Sequence, residues 1–332
     1  MKRRVRIAAL ALFTILFFNL AIVLSVQAEQ IIITDIEKNV IIVDINGEGD
    51  YSSIQDAINN AQTGSKIYIK KGEYSEIINI RKQIELIGED KNLTLINPIS
   101  ETNKYAIYLG ADKAIIRDLS IKNRGPGLYT SAIRITASNT EIYNCNIFDT
   151  PVGIAIWTSD NKIENCYFSG CKDEGIALIG TSYSDCSNNK ITNCIFIKNC
   201  DGIELQYSSR NTIDNCDFYE NTHSGIDAIA KSNDENIISN CEIYNNDAHG
   251  IYLASSSNNQ IIDCIISDNK NGDIVINKNS YNNEIINTDS NKVDNEEDKK
   301  EDPTRQINPF MIIFLQRFSR LKSILKSIFN LN

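Results

Sequence analysis

The sequence has few histidines, methionines, tryptophans and prolines, and it has no excess of positive charge. Its 332 residues include 2 His, 2 Met, 1 Trp and 5 Pro, with 33 Lys+Arg against 43 Asp+Glu. Nucleic acid is disfavoured as a partner because its phosphates need clustered Lys and Arg. Copper handling is disfavoured because cuprous sites use Met or Cys ligands and cupric sites use His. An acidic polysaccharide is also a poor partner for an acidic chain, unless a cation such as Ca²⁺ bridges their charges. No cofactor and no set of metal ligands is predicted.

Residues 1–28 have the pattern of a secretory signal. A basic start is followed by an apolar stretch over 7–26 and by small or β-branched residues in Val26-Gln27-Ala28. The alternative is an uncleaved anchor, because the apolar stretch is near bilayer-spanning length. Cleavage removes four positive charges and no negative ones, so the formal net charge falls from −10 to −14. We expect a protein that is secreted or held at the extracytoplasmic cell surface.

Two signatures recur with a period of just over twenty residues. The first is Gly-Ile, with a weaker last copy at Gly272-Asp-Ile; its earlier glycines are Gly153, Gly175, Gly202, Gly225 and Gly250. The second is Asn-x-Ile-x-Asn-Cys, whose cysteines are Cys145, Cys166, Cys194, Cys216, Cys241 and Cys264. Such periods indicate stacked units that cannot bury their apolar faces alone.

Each unit contains short period-2 runs, such as Ile203-Glu-Leu205, separated by polar turn residues. This pattern predicts an all-β fold, a parallel β-helix (solenoid) with coils of about 22 residues over 29–288. One interior column should contain Ile142, Ile163, Ile191, Ile213, Ile238 and Ile261. The second Asn of each copy should occupy a tight left-handed bend, and stacked Asn amides can hydrogen-bond along the column.

The six column cysteines are predicted to be small buried hydrophobes, although disulfides within the column stay open. Cys171, Cys186 and Cys200 lie off the column and could form a disulfide. The longest repeat step contains Thr181 to Ser187, and we expect this insertion to form a loop, such as often lies on the binding face of a solenoid.

The two ends of the chain depart from the repeat. Ile54, Ala57, Ile58 and Ala61 lie at helical spacing, so a helix with its N-cap at Ser52 or Ser53 and its stop at Gly64 should cap the solenoid. Residues 289–306 are charged and predict an acidic disordered linker. Residues 307–332 predict a basic amphipathic helix that could contact a membrane surface, a partner protein or the end of the solenoid.

These repeats resemble those of the right-handed parallel β-helix superfamily, which includes pectate-lyase-like and NosD-type proteins. The stretch GDYSSIQDAINNAQTGSKIYIKKGEYSE, from Gly49 to Glu76, is similar to the opening that pectin esterases share with these proteins. The resemblance implies a right-handed parallel β-helix of about nine or ten coils. It is specific for the fold only, because the same architecture contains lyases, hydrolases, epimerases and non-enzymatic surface proteins.

Both histidines and several carboxylates fall on four successive coils when the copies are aligned on Gly-Ile. The outward position after Gly-Ile contains, in order, Arg134, Ala155, Ala177, Glu204, Asp227, Tyr252 and Val275. The position before Gly contains Val152, Glu174, Asp201, Ser224, His249 and Asn271, and the position before that contains Pro151, Asp173, Cys200, His223, Ala248 and Lys270. The candidate catalytic residues are Asp201, Glu204, Asp227 and His249, and the candidate substrate-binding residues are Asp173, Glu174, His223, Tyr252 and Arg134.

These coils also resemble those of polygalacturonase-type hydrolases, with one departure. Asn199-Cys-Asp201-Gly202 matches the Asn-Thr-Asp-Gly motif of those enzymes, and Ala248-His249-Gly250 partly matches their Gly-His-Gly. His223-Ser224 stands where the resemblance implies paired aspartates. Three functions therefore stay open: binding of extracellular or cell-surface polysaccharide through an outward acidic face, a glycan-active enzyme (hydrolase before lyase or epimerase), and a structural or adhesion protein.

Overall fold

Strands of two to six residues alternate with tight turns along most of the chain. The computed structural model describes residues 39–296 except Asn103 and Lys231, and each complete coil gives one strand to each of three parallel sheets. The sheets contain eleven, ten and ten strands. The prediction of an all-β, right-handed parallel β-helix of about ten turns is confirmed.

The three sheets follow one another within each coil, and we number them in that order. Sheet 1 consists of β1 (Val40–Val43), β2 (Lys66–Ile69), β5 (Glu85–Gly88), β8 (Ile115–Arg117), β11 (Glu141–Tyr143), β14 (Lys162–Glu164), β17 (Lys190–Thr192), β20 (Thr212–Asp214), β23 (Ile237–Ser239), β26 (Gln260–Ile262) and β29 (Glu284–Ile286). Sheet 2 consists of β3 (Gly72–Tyr74), β6 (Thr94–Ile96), β9 (Ser120–Ile121), β12 (Asn146–Phe148), β15 (Tyr167–Ser169), β18 (Ile195–Ile197), β21 (Asp217–Tyr219), β24 (Glu242–Tyr244), β27 (Ile265–Ser267) and β30 (Asp289–Ser290). Sheet 3 consists of β4 (Ile78–Ile80), β7 (Tyr105–Leu109), β10 (Ser131–Ile135), β13 (Val152–Ile156), β16 (Glu174–Ile179), β19 (Asp201–Gln206), β22 (Ile226–Ala228), β25 (His249–Leu253), β28 (Gly272–Asn277) and β31 (Val293–Glu296).

Isoleucines at the middle positions of the sheet 1 strands form an interior column. Ile142 pairs with Ile163, Ile163 with Ile191, and the register continues to Ile261. All six predicted members are buried. The prediction of this column is confirmed, because the period of two within a strand and the fixed step between coils leave one register that buries every isoleucine.

The turn between sheets 1 and 2 contains the left-handed residues that the repeat predicted. Asn144, Asn165, Asn193, Asn215 and Asn240 have φ between 51° and 55°. The extended hydrogen-bond ladders are built by other asparagines, however. In one, Asn161, Asn189, Asn211, Asn236, Asn259 and Asn283 bond from amide to amide. In the other, Asn199, Asn221, Asn246 and Asn269 do the same.

The glycine of each Gly-Ile copy allows close packing against the next coil. A Cβ on Gly202 would lie 2.5 Å from the carbonyl oxygen of Gly225 and 2.5 Å from Cδ1 of Phe218. Phe168, Phe196 and Phe218 stack at centroid distances of 4.7 Å in the interior. The repeated glycines are therefore explained by the space that this aromatic column occupies.

A single helix occurs among the described residues, at the N-terminal end of the solenoid. Helix α1 (Ile54–Asn60) begins after the N-cap Ser53, whose side chain accepts a hydrogen bond from the backbone N–H of Asp56. It buries Ile54, Ala57 and Ile58, as predicted. The predicted stop at Gly64 is wrong, because the C-cap is Ala61 in extended conformation.

All nine cysteines are free thiols in the structure. The six column cysteines are buried, as predicted. Cys171 and Cys186 are also buried and Cys200 is half-buried, and none of the three is paired in a disulfide. Burial raises the pKa of the Cys186 thiol to about 12.

The solenoid extends beyond its predicted end at residue 288. Strands β30 and β31 pair with the preceding coil, so the start of the predicted linker at 289 is too early, and the extra strands complete one more turn. The predicted signal (1–28), the rest of the linker and the amphipathic segment 307–332 lie outside the described residues. Within 39–296, no helix is long and apolar enough to cross a bilayer.

Candidate functional site

The strand register of sheet 3 brings the predicted outward column together. Ala177 pairs with Glu204, Glu204 with Asp227, Asp227 with Tyr252, and Tyr252 with Val275. In the Gly272-Asp-Ile copy the position before the glycine is displaced by one residue relative to the predicted alignment, although Val275 stays in the outward column. His249 lies opposite Gly272 and not Asn271, because Gly272-Asp-Ile carries one residue more between glycine and isoleucine.

The acidic residues of this face are recessed and not openly exposed. Relative exposure is 1% for Glu174, 5% for Asp201, 7% for Glu204 and 3% for Asp227. The predicted outward acidic face is therefore a recess and not a solvent-exposed surface. Alternation of side chains fixes which side of the sheet a residue faces, but what covers that side depends on neighbouring coils and loops. Buried carboxylates are costly unless they are paired, hydrogen-bonded or protonated, so their clustering here marks a candidate site.

Asp201, His223 and Asp227 form the centre of the site, and we call them the Asp-His-Asp cluster. The Nδ1 atom of His223 lies 2.8 Å from Oδ1 of Asp201 and 3.7 Å from Oδ2 of Asp227. The same Asp201 oxygen accepts a hydrogen bond of 2.8 Å from the backbone N–H of Ser224. The His223 side chain is 35% exposed, whereas those of Asp201 and Asp227 are 7% and 4% exposed. The imidazole is therefore the solvent-facing part of the cluster.

Three further carboxylates surround this centre. Burial, and then repulsion from Asp201, raise the pKa of the Asp173 carboxyl to about 6. Burial, and then repulsion from Glu204, raise the pKa of Glu174. The side-chain amide of Gln206 donates a hydrogen bond to a carboxylate oxygen of Glu204. Both pKa shifts favour the protonated form of the Asp173 and Glu174 carboxyl groups.

His249 and Tyr252 extend the site by one coil. Their rings stack at a centroid distance of 5.0 Å, and the ring of His249 meets that of His223 edge-on at 6.4 Å. The Tyr252 hydroxyl accepts a hydrogen bond of 3.4 Å from the amide of Asn277. His249 thus lies beside the Asp-His-Asp cluster. It is not among the residues whose carboxylate oxygens and ring nitrogen lie within 4.8 Å of one another, which are Asp201, His223 and Asp227.

Arg134 is the one predicted site residue that the register places far from the centre. It shares the outward column with Glu204, but Ala155 and Ala177 stand between them. Three steps of about 4.8 Å place the two backbones roughly 14 Å apart. Its guanidinium donates to the carbonyl of Tyr129 at 3.2 Å. We therefore assign Arg134 to the neighbouring region around Tyr129.

Sequence patterns missed the apolar cluster beside the carboxylates. Tyr129, Val152, Ala155, Ala177 and Ile179 pack together on the outer side of sheet 3, with Trp157 against them. Burial, and then the charges of Asp173 and Glu174, raise the pKa of Tyr129. Tyr129 lies in the irregular segment between β9 and β10, so no repeat marks it. Ser224 stands in the aligned column; its backbone N–H donates to Asp201, and its hydroxyl oxygen lies 3.4 Å from Nδ1 of His223.

The insertion at 181–187 forms a loop, as predicted. Thr181 and Ser184 form an antiparallel bridge, and Tyr183 at the tip is 83% exposed. The loop follows the C-terminal end of β16, whereas Asp201 begins β19 and His223 precedes β22. The loop and the Asp-His-Asp cluster thus belong to opposite ends of the sheet 3 strands.

The arrangement can move protons and bind polar groups. Two carboxylates offer ligand oxygens within 4.8 Å of each other and of the imidazole nitrogen. A carboxylic acid and a carboxylate at such a distance are the pair that glycoside hydrolysis uses. The same oxygens and nitrogen could also bind a cation.

Comparisons with known proteins agree with the fold. A family model described as "Right handed beta helix region" matches residues 84–233 and 131–290, together more than half of the 332 residues. The chain is also similar to solved structures. Pectate lyase Pel9A gives a TM-score of 0.51 at 14% identity, covering 77% of this chain and 78% of that one. Geobacillus virus E2 ORF18 gives 0.54 at 15% identity, covering 83% and 66%.

Curated relatives include plant pectinesterases. The chain is 28% identical over 153 residues to the probable pectinesterase 56 of Arabidopsis thaliana, covering 41% of this chain and 53% of that protein. It is 25% identical over 164 residues to the probable pectinesterase 67 of the same plant, covering 44% and 48%. The chain thus spans about half the length of these curated relatives.

Proposed function

The chain belongs to the right-handed β-helix family, and from this premise we propose that it is an extracytoplasmic hydrolase of polysaccharide. We propose as its substrate a neutral or esterified chain, such as esterified pectin. The relatives named pectinesterases support the substrate type. The recessed carboxylates support the preference for an uncharged chain, because they would repel a polyanion at the centre of the site. The signal pattern of residues 1–28 supports action outside the cytoplasm.

One observation carries the catalytic part of this proposal. Asp201 and Asp227 approach the same imidazole nitrogen of His223, at 2.8 Å and 3.7 Å, in a recess where both are almost fully buried. Two carboxylates held this close can serve as the acid and as the base or nucleophile of glycoside hydrolysis.

The roles follow from how each carboxylate is held. Asp201 accepts two hydrogen bonds at one oxygen, from His223 and from the Ser224 N–H, so it is the oriented carboxylate and acts as nucleophile or base. Asp227 faces Glu204 on the adjacent strand and makes the longer contact with His223, 3.7 Å, so we assign it the role of proton donor. Asp227 then protonates the glycosidic oxygen as the bond from that oxygen to the sugar carbon breaks.

The separation of the carboxylates bears on stereochemistry. Their closest oxygens lie within 4.8 Å. Retaining glycosidases hold the two carboxyl groups about 5–5.5 Å apart, whereas inverting enzymes leave roughly 6.5–9.5 Å for a water molecule. We therefore propose retention of configuration, with Asp201 as nucleophile and water releasing the sugar in a second step.

Binding without turnover is the second candidate function. It is favoured by His223-Ser224, which stand where polygalacturonase-type enzymes carry paired aspartates. In that case His249 and Tyr252 would provide the stacked rings against which a sugar packs, and Asp173 would hydrogen-bond to its hydroxyls.

The experiment compares turnover and binding on one panel of polysaccharides. Neutral, methyl-esterified and de-esterified chains are incubated with the wild type, with Asp227→Asn and with Asp217→Asn. Asp217 is a carboxylate on sheet 2 that also faces an acid, Glu242, on the adjacent strand. We expect release of reducing ends that Asp227→Asn abolishes and Asp217→Asn keeps. Binding with no release by the wild type would replace hydrolysis with the second candidate; absence of both would leave a structural or adhesion role.

A further inference from the structure

The Asp-His-Asp cluster presents three metal-ligand atoms on one side of sheet 3. They are a carboxylate oxygen of Asp201, a carboxylate oxygen of Asp227 and a ring nitrogen of His223, and all lie within 4.8 Å of one another. The described residues 39–296, apart from Asn103 and Lys231, contain no second group of three such ligand atoms. In the part of the chain that the structure describes, this cluster is therefore the one group of three close metal-ligand atoms.

The spacing of these atoms is close to what a bound ion requires. With bonds of about 2.0–2.2 Å to oxygen and nitrogen, two ligands of a tetrahedral ion lie about 3.3–3.6 Å apart. The nitrogen of His223 lies 2.8 Å from one carboxylate and 3.7 Å from the other, so the required distance falls between the two. Small rotations of the side chains would lengthen the His223–Asp201 distance and shorten the His223–Asp227 distance.

Charge also favours a cation here. Asp201 and Asp227 are almost fully buried, and a dication between them would replace the repulsion of two like charges with attraction. The Ser224 N–H holds the oxygen of Asp201 at 2.8 Å. Ligating carboxylates are commonly held by such a hydrogen bond from outside the ligand set. His223 is the most exposed of the three, which leaves an open side for a water ligand.

We infer that the Asp-His-Asp cluster binds one divalent first-row transition-metal ion of the Mn²⁺ or Zn²⁺ type. An imidazole among the ligands separates it from a Ca²⁺ site, which takes six to eight oxygens. The neighbouring Cys200 is not among the ligand atoms that lie within 4.8 Å of one another. Two carboxylates with one imidazole suit an ion of intermediate hardness.

The ion would act on the proposed hydrolysis as an inhibitor. It would occupy the oxygen of Asp201 that attacks and the oxygen of Asp227 that carries the proton, so neither step could proceed. This consequence rests on the proposed function, whereas the binding of the ion does not. The two parts can therefore fail separately.

Binding is tested on the full chain with Mn²⁺, chosen because it has little affinity for the free thiols. Titration is followed by electron paramagnetic resonance and calorimetry on the wild type, Asp227→Asn, His223→Gln and the control Asp217→Asn. We expect one saturable ion per chain, an affinity at least about tenfold lower in both cluster variants, and no change in the control. Circular dichroism verifies that each variant is folded.

Three outcomes would overturn the inference. They are the absence of saturable Mn²⁺ binding, equal affinity in the wild type and both cluster variants, and a preference for Ca²⁺ over Mn²⁺ in competition. If Mn²⁺ binds as expected but the wild type hydrolyses nothing in the absence of metal, the metal site stands and the proposed hydrolysis falls. If hydrolysis is found but Mn²⁺ does not suppress it, the inhibitory role falls.

Discussion

The imidazole of His223 lies 2.8 Å from the carboxylate of Asp201, although 22 residues separate them in the chain. The contact arises because the two residues occupy the same edge of sheet 3 on adjacent coils. A β-helix repeatedly brings residues one period apart to within side-chain reach. His223 orients the Asp201 carboxylate on which the proposed chemistry depends. Substitutions at these two residues therefore test the proposed hydrolysis directly.

Replacing Asp201 should remove hydrolysis while leaving the fold intact. Asp201→Asn keeps the shape of the side chain but removes the charge proposed as nucleophile, so we expect the turnover number to fall by about 10²–10⁴. His223→Gln should reduce it less, because the Ser224 N–H still holds Asp201. Reducing-end release measures both, and wild-type turnover by Asp201→Asn would contradict the assignment.

The order of residues along sheet 3 could be predicted from the sequence, but their burial could not. Aligning the Gly-Ile copies placed Ala177, Glu204, Asp227 and Tyr252 in one column, and the register confirms this. Period-2 alternation and a fixed coil step determine such a column. Burial depends on packing between coils and loops, which no repeat encodes. Tyr129, on an irregular loop beside the site, is the clearest example.

The asparagines illustrate the same limit at a smaller scale. For the turn asparagines we predict both a left-handed bend and an amide ladder; Asn165 has φ 54° as expected, but the extended ladders consist of other asparagines. The ladder asparagines, such as Asn211, are four residues before the turn asparagines or in the adjacent corner, and they are identified by amide contacts between coils. Both kinds are Asn in the sequence. Only three-dimensional position separates an asparagine needed for its φ angle from one needed for its amide.

Removing one rung of the Asn ladder should destabilise the solenoid. In the native state, Asn211 accepts a hydrogen bond of 2.9 Å from the backbone N–H of Asn189 and donates one of 3.1 Å to Asn236. Asn211→Ala leaves buried polar groups without these partners, at about 1–3 kcal/mol each. We expect the free energy of unfolding in urea to fall by at least about 2 kcal/mol. Asn146→Ala, which removes an exposed bond to Asn92, should cost less than about 0.5 kcal/mol.

Adding one methyl group at Gly202 should be more disruptive than its size suggests. The new Cβ would lie 2.5 Å from the Gly225 carbonyl oxygen, which belongs to the backbone and cannot rotate away. We expect Gly202→Ala to lower the free energy of unfolding by about 3 kcal/mol, the upper end for overpacking. The matched change is Ala132→Gly at the equivalent position of an earlier coil, for which we expect about 0.5–1 kcal/mol. Similar losses at both positions would argue against the packing explanation.

The thiols should be countable as free groups once the chain is unfolded. The structure contains nine free cysteines, eight of them buried and Cys200 half-buried. We expect nine thiols to react with Ellman's reagent in denaturant without reductant, and Cys200 to be the first to react in the native protein. Burial raises the pKa of the Cys200 thiol to about 12, so even this reaction should be slow at neutral pH. A count below nine in denaturant would indicate disulfides.

The raised pKa of Asp173 should make stability depend on pH in a defined window. Its folded pKa of about 6 exceeds the ordinary value of 3.8, so between these values the folded state binds more protons than the unfolded state. The free energy of unfolding therefore falls as pH rises from about 4 to about 6, and it stays lower above that range.

Replacing Asp173 by Asn removes this contribution. We expect the free energy of unfolding of Asp173→Asn to equal that of the wild type near pH 4 and to exceed it above pH 7 by about 1 kcal/mol, because partial solvent exposure reduces the full effect. Asp247→Asn, at an exposed carboxylate paired with Lys270, should show no such divergence in urea melts taken across the same pH range. If the two variants behave alike, the window does not arise from the recess around Asp201.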